Sequence, residues 1–275
     1  MESKCAQFAP KMLETPTSNP QVAIAQKLRI PKNPSKKFLY HLLEEQYYLF
    51  NTKDSINENL PDPLGVAREF PSDKVALFCA LFAYGNVHSI VKFLQSCNLN
   101  ALVNPKDCAI SCTSKVYRFQ NNAEIQWFFQ TLLNLESLQE IFYQGYRCDS
   151  ILGGIRSLQS TFYRKLDKPT QGLQFLLGLL DSTSPLKRWN LFLRWVVRKD
   201  SLDLGYWEGV KRSDLLLPLD THTFRIARRL GLLKRKTYDF KAVLELSENL
   251  KRFDANDPIK YDFALYRIGQ LGLIE

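Results

Sequence analysis

The chain has 275 residues and carries 37 Lys plus Arg against 28 Asp plus Glu, a formal charge of +9. With 45% hydrophobic and 24% charged residues it has the composition of an ordinary globular protein, which excludes disorder for its bulk. No run approaches the ~18 apolar residues of a membrane span, and MESKCAQFAPKMLETPTSNP lacks the apolar stretch of a secretory signal, so a soluble, cytoplasmic protein is expected.

Residues 1–34 hold five of the 13 prolines and little periodic apolar pattern, and read as an irregular extension. From Lys36 the pattern turns helical, with Phe38, Leu39, Leu42, Leu43, Tyr47 and Phe50 recurring at three- and four-residue intervals. After the Pro61-Asp62-Pro63 turn, Ser72-Asp73 opens DKVALFCALFAY, a wholly buried type of helix. Tyr84-Gly85-Asn86 breaks it before VHSIVKFLQSC. Further helices are read in AEIQWFFQTLLNLESLQEIFYQGY, ILGGIRSLQSTFYRKL, GLQFLLGLL, KRWNLFLRWVVRK, Thr221 to Leu230 with Gly231 as stop, FKAVLELSENLKRF, and a last one opening at Asp257-Pro258. Alternating β-branched runs are few, so the expectation is an all-α protein of about ten helices in one domain, 35–275.

The six cysteines follow no tight ligand spacing, the nearest pair being Cys108 and Cys112, and His41, His88 and His222 are far apart. A zinc or iron–sulfur site is therefore unlooked for, and catalysis is left to Lys, Asp, Glu, Tyr or Ser. The positive charge is concentrated: residues 181–240 carry 13 Lys or Arg against 7 Asp or Glu. Such a concentration suits nucleic acid, because phosphate neutralisation releases counterions, although a solvated basic face has the same composition.

Within that region, the helix around Lys187 is apolar on most of its surface, yet Lys187, Asn190, Arg194 and Arg198 fall on one stripe at 100° per residue. Core packing explains Trp189 and Trp195. It does not explain three cations side by side, which repel and lose hydration unless an acid or an anion compensates them. In LLLPLDTHTFRIARRLGL an extended lead-in ends at Pro218 and a helix starts with Asp220 or Thr221 as N-cap. A capping role alone, worth about 1 kcal/mol, accounts for Asp220.

The string PLDTHTFRIARRLGL resembles the P-V-D-x-H stretch of the helix-hairpin-helix DNA glycosylases, the superfamily of endonuclease III and the 8-oxoguanine glycosylases. A closer similarity, from about Phe38 onward, is to a bacterial family of unknown function marked by DPLGVAREF, AYGNV, KRWNLFLRWVVRKD, LLLPLDTHT and DPIKYDFALYRIG. The glycosylase resemblance implies two helical subdomains flanking a cleft, with Asp220 as the essential carboxylate and Lys187 as the nucleophile. Their separation of 33 positions is similar to that in the archaeal 8-oxoguanine glycosylases. The resemblance further implies a base pocket from Asp262, Tyr266 and Trp189, and DNA contacts from Asn86, Arg194, Arg198 and His222.

The activity so implied is base-excision repair: removal of an oxidised purine, foremost 8-oxoguanine, from duplex DNA by a glycosylase with AP lyase chemistry. It needs no metal or cofactor, and implies a nucleoid-associated monomer. Lys187 attacks only as a neutral amine, a form favoured by desolvation and neighbouring cations. The Gly-x-Gly hairpin that clamps phosphate in those enzymes is replaced by STSPLKR, where Ser182, Thr183 or Ser184 as N-cap is the expected substitute. The competing reading keeps the fold without the chemistry: a helical DNA- or RNA-binding protein in which Lys187 and Asp220 form only a buried ion pair.

Overall fold

In a computed structural model of the chain, residues 27–104 and 116–274 are described. The described chain is mostly helical: α1 Lys36–Phe50, α2 Pro63–Ala67, α3 Asp73–Leu81, α4 Val87–Gln95, α5 Asn122–Leu133, α6 Leu138–Cys148, α7 Ile151–Tyr163, α8 Gln171–Leu177, α9 Lys187–Val197, α10 Thr221–Arg229, α11 Phe240–Leu250 and α12 Asp262–Gln270. The only sheet among the described residues is a hairpin of β1 Val116–Tyr117 and β2 Gln120–Asn121. Of the extension expected over residues 1–34, residues 1–26 lie outside the described part. The remainder carries no helix, and Leu28 N–H donates to Leu273 O at 2.7 Å.

The helix starts follow local chemistry. Ser35, Asp62, Ser72, Asn86, Ser137, Thr170, Asp220 and Asp239 each accept a hydrogen bond from a first-turn N–H, satisfying a donor with no partner inside the helix. Asn121 and Glu124 form a reciprocal capping box on α5.

Three expectations are corrected. The stretch 123–146 is not one helix, because Leu135 carries the chain out of α5 and Ser137 caps a new start, giving α6. The Pro61-Asp62-Pro63 turn also opens a short helix, with Pro63 in its first turn, where the missing N–H costs nothing. The last helix begins later than Asp257-Pro258, which instead open a 3-10 turn before α12.

Two sets of packed elements support the candidate site. In the middle of the chain α3, buried from Val75 to Leu81, packs against α9, α2 and α5. There α6 and α7 form a close antiparallel pair, in which a Cβ on Gly145 would meet Gly153 O at 2.1 Å and one on Gly154 would meet the Phe142 ring at 2.3 Å. In the second set α1 packs on α12, and α12 on α10, so the first described helix is joined to the last described one. One contiguous apolar core runs through both sets.

Candidate active site

Between the two sets lies a cleft of about 500 Å³, lined by the ends of several helices. Asp62 and Pro63 at the start of α2, Tyr84 to Val87 at the start of α4, Lys187 and Arg188 at the start of α9, Asp220 to His222 at the start of α10, and Asp262 and Tyr266 of α12 all reach it. Helix N-termini carry partial positive charge, so their convergence favours an anionic ligand.

Lys187 and Asp220, 33 positions apart in sequence, line this one cleft, and both are half-buried. The buried ion pair between them is not formed. Lys187 Nζ makes no hydrogen bond or salt bridge among the described residues. Asp220 caps α10 through Oδ1, which accepts from Thr223 N–H at 2.7 Å. The capping role and the position in the cleft therefore coexist, because the cap engages one carboxylate oxygen. α9 itself starts differently from its neighbours. Ser182, Thr183 and Ser184 do not cap it; the N-cap is Leu186, held left-handed at φ 50°, with no side-chain cap bond. A branched residue in that region is strained, and here the strain adjoins Lys187.

Asp262 and Tyr266, one helical turn apart, both face the cleft. The ring of His222 meets that of Tyr266 edge-on at 6.3 Å, and its Nδ1 accepts from Arg225 Nη2 at 3.2 Å. Asn86 is exposed at the cleft rim, where Oδ1 takes the N–H groups of His88 and Ser89, so its carbonyl is committed to capping α4. Tyr238, which also lines the cleft, is fixed by donating to Leu219 O at 2.7 Å.

Three assignments are corrected. Trp189 lies outside the cleft and is 2% exposed, donating from Nε1 to Leu177 O at 2.7 Å and packing near Phe162. Its position on α9 faces the core, which is the packing role. Arg198 also lies outside the cleft, and its guanidinium is taken by Asp203, by Asp257 at 2.9 Å and by Asp200 at 2.8 Å. Arg194 does line the cleft, but it is buried and bound to Asp203 at 3.2 Å and Asp262 at 2.5 Å. Neither arginine is presented to a phosphate. For these two arginines of the cationic stripe the compensation is supplied by carboxylates from within the chain, whereas Lys187 is left without an ion pair among the described residues.

This network sets four carboxylates, Asp200, Asp203, Asp257 and Asp262, around two guanidinium groups. Burial and the surplus of acids act in the same direction. Desolvation pushes Asp262 up to about 6, against the opposing pull of Arg194, with Asp220 adding to the rise. Desolvation also raises Asp203. A titratable carboxyl thus stands at the cleft, tied through Arg194 to the helix that bears Lys187.

Some residues of the cleft were not singled out in the sequence. Arg188 sits beside Tyr84 and Phe175, donates to Leu81 O at 2.7 Å and to Phe175 O, and is lowered by burial to about 10. Its adjacency to Lys187 was the available signal. Asp62 and Tyr84 had only turn-like contexts.

Fold and cleft together define a mostly helical protein with a cleft built from helix starts, a half-buried lysine and three carboxylates. Residues 62–271 match the model of a family described as proteins of unknown function, DUF2400, and the chain belongs to that family. No curated protein and no solved structure matches it. No described helix is long and apolar enough to cross a membrane.

Proposed function

We propose that the chain is a DNA base-excision enzyme of the helix-hairpin-helix glycosylase kind, acting on an oxidised purine, foremost 8-oxoguanine, in duplex DNA. The observation that carries this reading is the presence of an unpartnered Lys187 amine and the Asp220 carboxylate in one cleft large enough for a nucleobase. Cavities of roughly 300–1,000 Å³ are the usual size for small-molecule recognition. The packing of α1 with the C-terminal helices, apart from the middle set, suits two subdomains flanking the cleft.

A base stacked in a duplex is out of reach of a lysine inside a cleft, so the damaged nucleotide is extruded, at a cost of a few kcal/mol. Asp262 and Tyr266 then read the base. As the glycosidic bond breaks, Asp220 stabilises the cationic sugar, and the Lys187 nitrogen bonds to C1′ through its lone pair while the base leaves with the bonding pair. Ring opening gives a Schiff base, and loss of a proton from C2′ expels the 3′ phosphate. Exposed Arg225, Arg228 and Arg229 on α10, which begins at the cleft, supply phosphate contacts.

The test is borohydride trapping on an 8-oxoguanine duplex. A covalent adduct that disappears in Lys187→Gln is expected. Salt-sensitive binding without any adduct, on this and other lesion-bearing duplexes, replaces the enzyme with a non-catalytic nucleic-acid-binding protein. Absence of binding at low salt ends both readings.

A further inference from the structure

Beside the cleft, the chain places aromatic rings where solvent reaches them. Phe119 at the tip of the β1–β2 hairpin is 57% exposed, and Phe175 on α8 is 41% exposed. Together with Tyr84 they form one cluster: Tyr84 and Phe119 are nearly parallel at 13° and 6.2 Å, and Phe175 stands 4.6 Å from Phe119 and 4.9 Å from Tyr84. Large aromatic side chains are ordinarily covered in a folded monomer, and a contiguous exposed set marks a binding surface.

The cluster is built rather than loose. Tyr84 O–H donates to Gln120 Oε1 and Tyr117 O–H donates to Tyr84 O at 2.7 Å, locking the hairpin to the α3–α4 break. Arg118, held left-handed at φ 53°, lays its side chain against Gly85; a Cβ there would stand 2.8 Å from Arg118 Nη1. Gly85, at φ 102°, lines the cleft, as do Tyr84 and Arg188, so the platform is continuous with its rim.

The charges select the partner. The Arg188 guanidinium is 5.0 Å from the Tyr84 ring centroid and 4.8 Å from that of Phe175, and Arg118 is 5.7 Å from Phe119. Neither arginine has a carboxylate partner among the described residues. Aromatic faces flanked by uncompensated guanidinium groups fit a planar π-system attached to an anion. A paired base offers no free face, whereas an unpaired nucleotide offers both the face and the phosphate.

We propose that Tyr84, Phe119 and Phe175 form a stacking platform for an unpaired nucleobase at the cleft rim, with Arg118 neutralising its phosphate. The inference rests on the nucleic-acid reading above and adds to it the structural feature of the DNA that is recognised. It is tested by fluorescence anisotropy of the full chain with three probes: a fully paired duplex, the same duplex with one bulged nucleotide, and the single strand. The wild type prefers the bulged duplex. Phe119→Ala weakens that complex about ten-fold or more, a typical loss for one stacked base, and leaves the paired duplex within about two-fold, while Phe119→Trp retains the preference. Phe175→Ala behaves like Phe119→Ala. Unchanged thermal unfolding of both alanine variants verifies that the fold is intact.

Equal losses on all three probes, or none on the bulged duplex, overturn the platform. So does a sedimentation shift showing that Phe119→Ala dissolves a self-associated form without altering the bulge preference. If the wild type binds none of the probes, the nucleic-acid reading itself has failed. If the wild type is trapped by borohydride while Phe119→Ala keeps its full preference, only the stacking proposal falls.

Discussion

Replacing Arg194 by Met retains much of the length of the side chain but removes the cation shared by Asp203 and Asp262. Both carboxylates are buried, and Asp262 has no other salt bridge among the described residues. Removing one partner of a buried pair leaves an uncompensated charge and costs about 3–5 kcal/mol. That is a large share of the 5–15 kcal/mol typical of a domain, and corresponds to a fall in melting temperature of roughly 10 °C. The loss depends on protonation, because an uncompensated carboxyl escapes by taking up a proton. Urea unfolding of Arg194→Met, followed by circular dichroism, therefore shows the full deficit at pH 7.5 and a smaller one at pH 5. Adding Asp262→Asn to Arg194→Met restores on the order of 1 kcal/mol or more at pH 7.5, since coupled neighbours are non-additive by about that amount. A deficit below about 1 kcal/mol for Arg194→Met, or a double variant no more stable than the single, refutes the view that the network is held by charge compensation.

In the wild type Asp262 lies above its unfolded value of 3.8, at about 6. The protonated carboxyl favours the fold, so its contribution is complete below pH 4 and is lost as the pH rises through 6. At 1.36 kcal/mol per unit, the loss is about 3 kcal/mol. Asp262→Asn flattens that part of the stability profile, measured by urea unfolding in steps from pH 4 to 7; an unaltered slope counts against it. Asp220→Asn keeps an equally good N-cap, so stability changes by less than about 0.5 kcal/mol, whereas trapping with 8-oxoguanine DNA falls sharply; a variant that traps like the wild type removes Asp220 from the chemistry. Gly154→Val forces a side chain into Phe142 and costs about 1–3 kcal/mol or more, read by thermal unfolding; a melting temperature within a degree of the wild type contradicts the close α6–α7 contact.

Much of this architecture is written in local pattern. The 3.6-residue periodicity of KKFLYHLLEEQYYLF corresponds to α1 over its whole length, and the unbroken apolarity of VALFCAL to the stretch Val75–Leu81 of α3, buried at every position. The division of 123–146 was also local, since Ser137 and Glu140 have capping-box spacing, but the apolar repeat runs across it and masks the break. The cleft was only half legible. Lys187 and Asp220 stand out by helix position. The fates of Arg194 and Arg198 depend partly on Asp200 and Asp203, a few residues on, and partly on Asp257 and Asp262, some 59 to 68 residues away, which no local pattern reports. The aromatic platform is less legible still, because Tyr84, Phe119 and Phe175 come from three separate elements.

The packing of α1 on α12 governs how the chain is completed on the ribosome. Leu39, Leu42 and Leu43 are shielded in the finished fold, but the helix that covers much of that face is translated only from Asp262 onward. A nascent chain halted before Asp262 presents that leucine face to the cellular milieu, where it is a natural target for a chaperone. Circular permutants that join α12 directly to α1 shorten this interval and fold faster than the parent, since the contact becomes local.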